Sequence, residues 1–207
     1  IIVNRPSITF PLFTGEVRTH ERIWQLDFDV PTDRVKAVSV TGEALVLDNA
    51  GQPLDVQGEF VSFVTEGQTS HVSLQLGDRE GALLINVSFR GDDCYLSQTY
   101  SLVVILDRTG PSLFDAFLSE GEFTNTRNAT LQLEGFDADE MRITGAGLES
   151  VGGVGGNINS WIAAADEIAV GLSNGDGDKV INVQTRDFAG NLSSAHTKTI
   201  ILDTQAP

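Results

Sequence analysis

The stretch KVINVQTRDFAGN, residues 179–191, decides the fold of this chain. From Ile181 to Arg186, the β-branched residues Ile, Val and Thr alternate with the polar residues Asn, Gln and Arg, which is the period of a β-strand with one buried face. Asp187, Gly190 and Asn191 follow, and these residue types close tight turns because their side chains bond to nearby backbone and glycine tolerates positive φ. The stretch therefore predicts a strand that ends in a hairpin turn.

Much of this stretch also occurs earlier in the chain. Laid on residues 72–111 without a gap, residues 168–207 match at twelve of forty positions. The matched pairs include Ile85/Ile181, Asn86/Asn182, Val87/Val183, Arg90/Arg186, Leu106/Leu202, Asp107/Asp203 and Pro111/Pro207. Such a match predicts an internal repeat, and 207 residues suffice for two domains of about 100 residues, each with its own core.

Short runs rich in Val, Ile, Thr and Phe continue along the chain between Gly, Asn, Asp and Pro residues. No stretch holds a helical apolar period for a dozen residues, so the fold is predicted to be all-β. The first repeat has candidate strands at Ile8–Phe13, Arg22–Phe28, Val35–Thr41, Phe60–Val64, His71–Leu76, Leu83–Arg90 and Tyr100–Leu106. The second has Leu113–Leu118, Ala129–Gly135, Met141–Thr144, a weak piece at Trp161–Ala163, Glu167–Leu172, Lys179–Arg186 and Lys198–Leu202. Seven short strands in about 100 residues is the count of a β-sandwich.

The two repeats differ in the length of their middle part. With Gln25 taken as the counterpart of Gln132, the first repeat carries eleven extra residues before Ile85 and Ile181. About four precede the Thr-Gly pair that ends at Gly42 and Gly145, and seven follow it. The glycine-rich residues 145–156 lack the context of a phosphate-binding loop and are predicted to form a mobile loop.

The charge is acidic in both halves. Residues 1–110 hold 8 Lys+Arg against 15 Asp+Glu, residues 111–207 hold 5 against 14, and the net charge is −16. Nucleic acid and anionic membrane surfaces are disfavoured as partners because both attract basic surfaces. Cys94 is the single cysteine, so no intrachain disulfide forms, and no apolar run approaches a membrane-spanning length.

The stretch RDFAGN at 186–191, together with ILDTQAP at 201–207, resembles the closing strands and linker of bacterial immunoglobulin-like repeats of large surface adhesins and secreted multi-repeat proteins. In the first repeat the exit 106–111 keeps this pattern, whereas the turn reads Arg90-Gly91-Asp92. The resemblance implies two tandem immunoglobulin-like (fibronectin III-like) β-sandwich domains at 7–107 and 112–203. Residues 1–6, 108–111 and 204–207 would then be linkers to neighbouring repeats, in a fragment cut from a longer array.

The same resemblance implies calcium at the domain junctions. Asp203 is the candidate ligand by its motif position, Asp107 by the repeat, and Asp187 through its turn. Calcium takes six to eight oxygen ligands, so loops of the next domain would have to contribute. The alternative is that these carboxylates accept backbone N–H groups in the linker turns.

Other motifs carry competing interpretations. Arg90-Gly91-Asp92 is an integrin-binding tripeptide, but Arg90 aligns with Arg186 of the ordinary turn. Residues 174–178 imitate an EF-hand loop, yet Lys179 replaces its glycine, and a tight turn is favoured. Trp24 is predicted to be core, whereas Trp161 is left open between core and sugar stacking.

No catalytic constellation is present in the sequence: the three histidines have no metal-ligand spacing, and no nucleophile elbow occurs. The carboxylate pairs Asp27/Asp29 and Asp137/Asp139 are read as solvated faces. The favoured function is therefore a non-catalytic spacer of an extracellular or cell-surface adhesin-type bacterial protein. Its partners would be neighbouring repeats of the same chain. The alternatives are a module that binds a host or cell-surface protein or a glycan, and an accessory domain of a secreted enzyme. An exposed aromatic pair in one repeat only would favour a binding module.

Overall fold

The computed structural model describes residues 17–30, 34–54, 57–66, 69–92, 96–112, 115–135, 137–152 and 157–205. The chain divides into two compact units, Ile1–Arg108 and Thr109–Pro207, called domain 1 and domain 2 below. Every regular element within the described ranges is a β-strand. Among these residues there is no helix of the length and apolarity that crossing a membrane requires.

Domain 1 contains eight described strands in two sheets. They are β1 Val17–Thr19, β2 Ile23–Phe28, β3 Val35–Gly42, β4 Ala44–Val46, β5 Val64–Glu66, β6 Thr69–Leu76, β7 Gly81–Gly91 and β8 Tyr100–Leu106. One sheet has the order β1-β8-β7-β3, and the other has the order β2-β6-β4 with β5 also paired to β6.

Domain 2 contains nine described strands. They are β9 Asp115–Leu118, β10 Phe123–Thr124, β11 Asn128–Glu134, β12 Glu140–Thr144, β13 Leu148–Val151, β14 Trp161–Ala163, β15 Glu167–Leu172, β16 Gly177–Arg186 and β17 His196–Leu202. The sheets have the orders β10-β17-β16-β12-β14 and β13-β15-β11-β9.

Both domains follow one connectivity. The last strand of each pairs parallel with a short early strand, β1 with β8 and β10 with β17, and all other ladders are antiparallel. In domain 1 the chain crosses after β3 to β4 in the opposite sheet and then returns beside β3 at the Val38–Val61 bridge. In domain 2 it crosses after β12 to β13 in the opposite sheet and then returns beside β12 as β14. This two-sheet arrangement is the immunoglobulin-like, fibronectin III-like sandwich, as predicted.

Side-chain alternation builds the two cores. In β6, and in β16 from Lys179 onward, residues of one parity are buried and the others are half-buried or exposed, as a half-buried strand requires. The core of domain 1 includes an aromatic cluster in which Phe28 packs edge-on against Phe63 and Phe89. The core of domain 2 is aliphatic and contains Leu131, Met141 and other buried residues. Trp24 packs against the core of domain 1, as predicted.

Strand register corrects one alignment made from the sequence. The Arg22 carbonyl accepts from the Leu76 N–H and the Arg127 carbonyl from the Leu172 N–H, both at 2.7 Å. Arg127 therefore corresponds to Arg22, which makes Thr130 rather than Gln132 the counterpart of Gln25. The distance to Ile85 or Ile181 is then 60 against 51 residues, so domain 1 carries nine extra residues instead of eleven.

The equivalence of Gly42 and Gly145 holds. Both residues have positive φ, 101° and 150°, and a Cβ at either would collide with the backbone carbonyl of Leu84 or Val180, which are themselves equivalent. The prediction of a mobile glycine-rich loop is wrong for part of residues 145–156. Leu148–Val151 forms β13, because Leu148 and Val151 are buried and the strand pairs with β15.

The strands predicted from the sequence lie close to the observed ones, with exceptions at short elements. The segment at Phe60–Val64 is replaced by the bridge at Val61 followed by β5. The strands β1, β4, β10 and β13 are not predicted, since two to four residues carry too little pattern. The predicted strand Ile8–Phe13, as well as Leu113, Cys94 and Pro207, lie outside the described residues.

Candidate functional site

The outer face of the β12-β14-β16 sheet in domain 2 carries an aromatic residue over two cations. Arg142 stands opposite Trp161 on β14 and opposite Gln184 on β16. The guanidinium carbons of Arg142 and Arg186 lie 4.9 and 4.5 Å from the centre of the Trp161 ring. Both distances are within the range of cation–π attraction. Trp161 is therefore a half-buried surface residue held by these arginines and does not belong to the core.

Domain 1 contains a simpler version of this stack. The guanidinium carbon of Arg90 lies 4.8 Å from the centre of the Phe60 ring. Arg90 corresponds to Arg186. The Val38–Val61 bridge corresponds to the Met141–Ile162 pair, so Phe60, which precedes Val61, occupies the position of Trp161, which precedes Ile162. An arginine under an aromatic ring is therefore a shared feature of both domains and stabilises the edge of the sheet. The sequence comparison missed this pair because the repeats differ in length on both sides of Phe60.

A shallow groove of about 550 Å³ lies beside the stack in domain 2. Its walls are the start of β12, the end of β14, and the turn that follows β16. The residues that matter for its chemistry are Asp139, Glu140, Ala163, Arg186 and Phe188. Phe188 is 75% exposed, the largest exposure among the large apolar residues of the described ranges.

The polar groups of the groove differ in how fully they are engaged. Glu140 forms a close ion pair with Arg186, which faces it across the β12–β16 ladder. The backbone of Asp139 is fixed by bonds with Arg186 and Ala164, of 3.0 and 2.9 Å. Its exposed carboxylate accepts no hydrogen bond from any residue in the described ranges. The groove thus combines a paired donor and acceptor, an unpaired acceptor and an exposed aromatic ring.

The turn after β16 is closed by its own side chains. The Asn191 N–H and side-chain amide donate to the two oxygens of Asp187 at 2.9 and 3.0 Å, and the Asp187 N–H donates to the Asn191 carbonyl at 3.2 Å. Gly190 has a φ of 96° and supplies the positive angle expected there. Asp187 therefore has a structural role in the hairpin that the sequence predicts.

The other two candidate calcium ligands follow the last strand of each domain. The Asp107 N–H donates to Thr19 at 3.0 Å and the Asp203 N–H donates to Thr124 at 2.9 Å, so each strand is extended by one bond. The Asp203 carboxylate accepts the Gln205 N–H at 3.1 Å, which is the alternative to calcium that the sequence left open.

Calcium takes six to eight oxygen ligands, which is more than one carboxylate supplies. Asp203 adjoins the start of β16, because Gly177 pairs with Leu202, whereas Asp187 follows the end of β16. At about 3.3 Å per residue the two carboxylates are roughly 30 Å apart. The described residues contain no group of three or more His, Cys, Asp or Glu side chains placed to hold a metal. The described residues of one domain therefore contain no cluster of such side chains that would hold calcium without further ligands.

Each domain instead fastens its exit segment through a matched pair of positions. In domain 2, Asp176 accepts both the N–H and the hydroxyl of Thr204, at 2.9 and 2.8 Å. The backbone N–H and then the hydroxyl of Thr204 lower the pKa of Asp176. In domain 1 the equivalent pair is Glu80 and Arg108, whose charged atoms are 3.5 Å apart, and Arg108 also donates to the Asp78 carbonyl at 2.9 Å. No sequence pattern indicates these contacts, because the partners change from an ion pair in domain 1 to a hydrogen-bonded pair in domain 2.

The segment that enters domain 2 is fastened as well. Asp137 accepts the N–H and the hydroxyl of Ser112 at 2.7 and 3.1 Å. A Cβ on Gly110 would lie 2.6 Å from the Leu192 carbonyl oxygen, so only glycine fits at that position. Pro111 between them is buried. Asp137 thus holds the entry segment, which the sequence did not predict.

The competing motifs are built into ordinary elements. Arg90 and Gly91 belong to β7, with Arg90 stacked on Phe60, and Asp92 lies 3.9 Å from the Lys36 ammonium. Residues 174–176 lie in the tight connection from β15 to β16, and Gly177 and Asp178 begin β16, which agrees with the tight turn predicted in preference to an EF-hand loop. In β2, Asp27 accepts from the Gln25 side chain at 2.8 Å on the outward face.

Comparison with known proteins shows the fold. No protein family model matches the chain, and no curated protein matches it. Among solved structures, fibronectin(III)-like modules of Clostridium thermocellum CbhA superpose over 95% of this chain and 94% of that chain, with a TM-score of 0.53 at 12% identity. A chimeric titin Z1Z2 covers 98% and 97% with a TM-score of 0.44 at 12% identity. The D00-D0 domain of intimin covers 95% and 98% with a TM-score of 0.34 at 9% identity.

Proposed function

We propose that the chain is a non-catalytic pair of spacer repeats from an extracellular or cell-surface, adhesin-type bacterial protein. The observation that carries this proposal is the matched fastening of the exit segments, Glu80 to Arg108 in domain 1 and Asp176 to Thr204 in domain 2. A spacer has to transmit position along the chain, so each domain must fix the direction in which the chain leaves it. The fixed exit recurs although the interacting residues have changed.

The length of the connection supports the same function. Arg108 is held by domain 1 and Gly110 is packed within domain 2, so Thr109 alone separates residues fastened to different domains. The end-to-end distance of a flexible linker grows with the square root of its length, so a connection this short has little freedom of reach. An exposed ion pair contributes about 0–1 kcal/mol, so stiffness here depends on the summed contacts rather than on Arg108 alone.

Calcium is part of the proposal in one form only. Because the described residues of one domain do not complete a site, ligands from a neighbouring repeat would join Asp107 or Asp203. The partners proposed for the chain are accordingly further repeats of the same protein. Asp187, whose oxygens are already bonded to Asn191, is the weakest of the three proposed ligands.

The width of an interdomain distance distribution tests the spacer proposal. In a Cys94→Ser background, spin labels are attached at Gln25→Cys and Ala195→Cys, both exposed positions. Double electron–electron resonance then measures the distance between the labels. The expected distribution is narrow for the otherwise unchanged chain and only slightly broader for Arg108→Ala, which removes one of the summed contacts. Thr204→Ala removes the equivalent contact at the far end of domain 2 and should leave the width unchanged.

A reference variant with a Gly-Ser insertion after Thr109 defines the width of a flexible connection. If the distance distribution of the unmodified chain is as broad as that of this reference, the spacer proposal is wrong. Repeating the measurement with calcium and with chelator tests the metal separately. A junction site would be supported if calcium narrows the distance distribution of the unmodified chain but not that of Asp107→Ala. No response in the unmodified chain would remove calcium from the proposal without affecting the spacer.

A further inference from the structure

The groove of domain 2 has chemistry that its counterpart in domain 1 lacks. The aromatic–arginine stack recurs in both domains, so it is part of the fold. The polar residues around it do not recur. By strand register Ala37 stands in place of Glu140, Ser39 in place of Arg142 and Ser88 in place of Gln184. In the turn, Asp92 takes the sequence position of the exposed Phe188.

The stability of the sandwich does not require these additions. Phe188 is exposed and makes no ring contact within the described residues, and domain 1 builds the same ladder without it. A large exposed aromatic side chain is unfavourable in water and is informative when it adjoins a groove with convergent polar groups. The volume of about 550 Å³ lies within the range of about 300–1,000 Å³ that is usual for ligand sites.

The balance of donors and acceptors selects the class of ligand. The groove offers the Arg186 guanidinium as donor and the Glu140 and Asp139 carboxylates as acceptors. A cationic ligand would bond with the acceptors and face Arg186, and an anionic ligand would face Asp139 and Glu140. Hydroxyl groups both donate and accept, so a neutral polyhydroxylated ligand bonds with both kinds of group.

We propose that this groove binds a neutral oligosaccharide, with the apolar face of a sugar ring against Phe188 and its hydroxyls bonded to Asp139 and to the Glu140–Arg186 pair. Trp161 positions Arg186 by stacking on its guanidinium. This goes beyond the spacer proposal, because one repeat of the pair then carries a ligand site and the other does not. Either proposal stands if the other fails.

An array of short neutral oligosaccharides of glucose, xylose, mannose and galactose, probed with the fluorescently labelled chain, tests the proposal. The same array carries a sulfated oligosaccharide and an oligoarginine peptide. We expect binding to at least one neutral sugar. Phe188→Ala should weaken this binding by about five-fold, since the loss of an aromatic contact is worth about 1 kcal/mol. Asp139→Asn should weaken it as well.

The matched control is Asp92→Ala, which changes the corresponding turn position in domain 1 and should leave sugar binding unaltered. Phe188 and Asp139 are exposed, so their variants should keep the melting temperature of the parent chain. Binding of a neutral ligand should also be nearly independent of salt.

Three results would overturn the proposal. They are the absence of binding to every neutral sugar on the array, sugar binding that survives both groove variants, and binding confined to the oligoarginine peptide and abolished by salt. The last result would assign the groove to a basic protein segment.

Discussion

The two cores of this chain should respond independently to matched truncations. Leu26 of β2 and Leu131 of β11 occupy equivalent positions, and both side chains are 0% exposed. Leu26 belongs to the core of domain 1 and Leu131 to the core of domain 2, and these cores have no residue in common. Each leucine replaced by alanine removes buried methyl groups from one core and leaves a cavity there.

A buried Leu→Ala substitution costs about 2–5 kcal/mol of unfolding free energy, and about 3 kcal/mol is expected here because both sites are fully enclosed. For a domain of about 100 residues, 1 kcal/mol shifts the melting temperature by about 4–8 °C. Leu26→Ala should therefore lower the transition of domain 1 by about 12–24 °C and leave that of domain 2 in place. Leu131→Ala should do the reverse.

The chain provides its own reporters for this assay. It has two tryptophans, Trp24 in domain 1 and Trp161 in domain 2. Thermal unfolding followed by fluorescence in Trp24→Phe and Trp161→Phe backgrounds assigns each transition, and calorimetry counts the transitions. Ile23→Ala, at a position 58% exposed on β2, is the control and should change the stability by less than about 0.5 kcal/mol. A single transition that both leucine variants lower equally would refute the reasoning.

Three further predictions concern domain 2. Thr185 is 0% exposed, and its hydroxyl has no hydrogen-bond partner among the described residues. Thr185→Val should therefore stabilise the domain by about 1 kcal/mol in urea unfolding, and a loss of stability would reveal an unrecognised partner of the hydroxyl. Gly145→Ala should destabilise the domain by more than about 1 kcal/mol, because its Cβ would meet the Val180 carbonyl, whereas Gly152→Ala, with positive φ but open space, should cost less. Lys198, the Ala116 N–H and His196 lower the pKa of Asp115, so this carboxylate stabilises the folded state above its unfolded pKa of about 3.9, and the stabilisation is lost as pH falls through the folded pKa. Asp115→Asn should therefore flatten the acid limb of the stability curve of domain 2, and an unchanged limb would contradict this assignment.

The groove residues show the limit of sequence reasoning at the site. The sequence leaves Trp161 open between core and sugar stacking, and in the structure it is half-buried at the surface. Its arginine partners could not be predicted, because Arg142 and Arg186 are 44 residues apart and meet only through the β12–β16 ladder. From the sequence, Asp139 is interpreted as a solvated carboxylate and Phe188 as a turn residue. Only the tertiary structure shows that they line one groove, because it brings the turn after β16 beside the start of β12.

Side-chain period and turn chemistry by themselves determined the all-β class, the repeat and the hairpin closed by Asp187 and Asn191. These features are local, since alternation and turn-forming residues act over a few positions. The correspondence of Arg22 with Arg127, the strand β13 within a glycine-rich stretch and the exit contacts of Asp176 were decided by tertiary structure alone. Each depends on which strand lies beside which, and that pairing is fixed by burial of whole sheet faces and by backbone hydrogen bonds between residues remote in sequence.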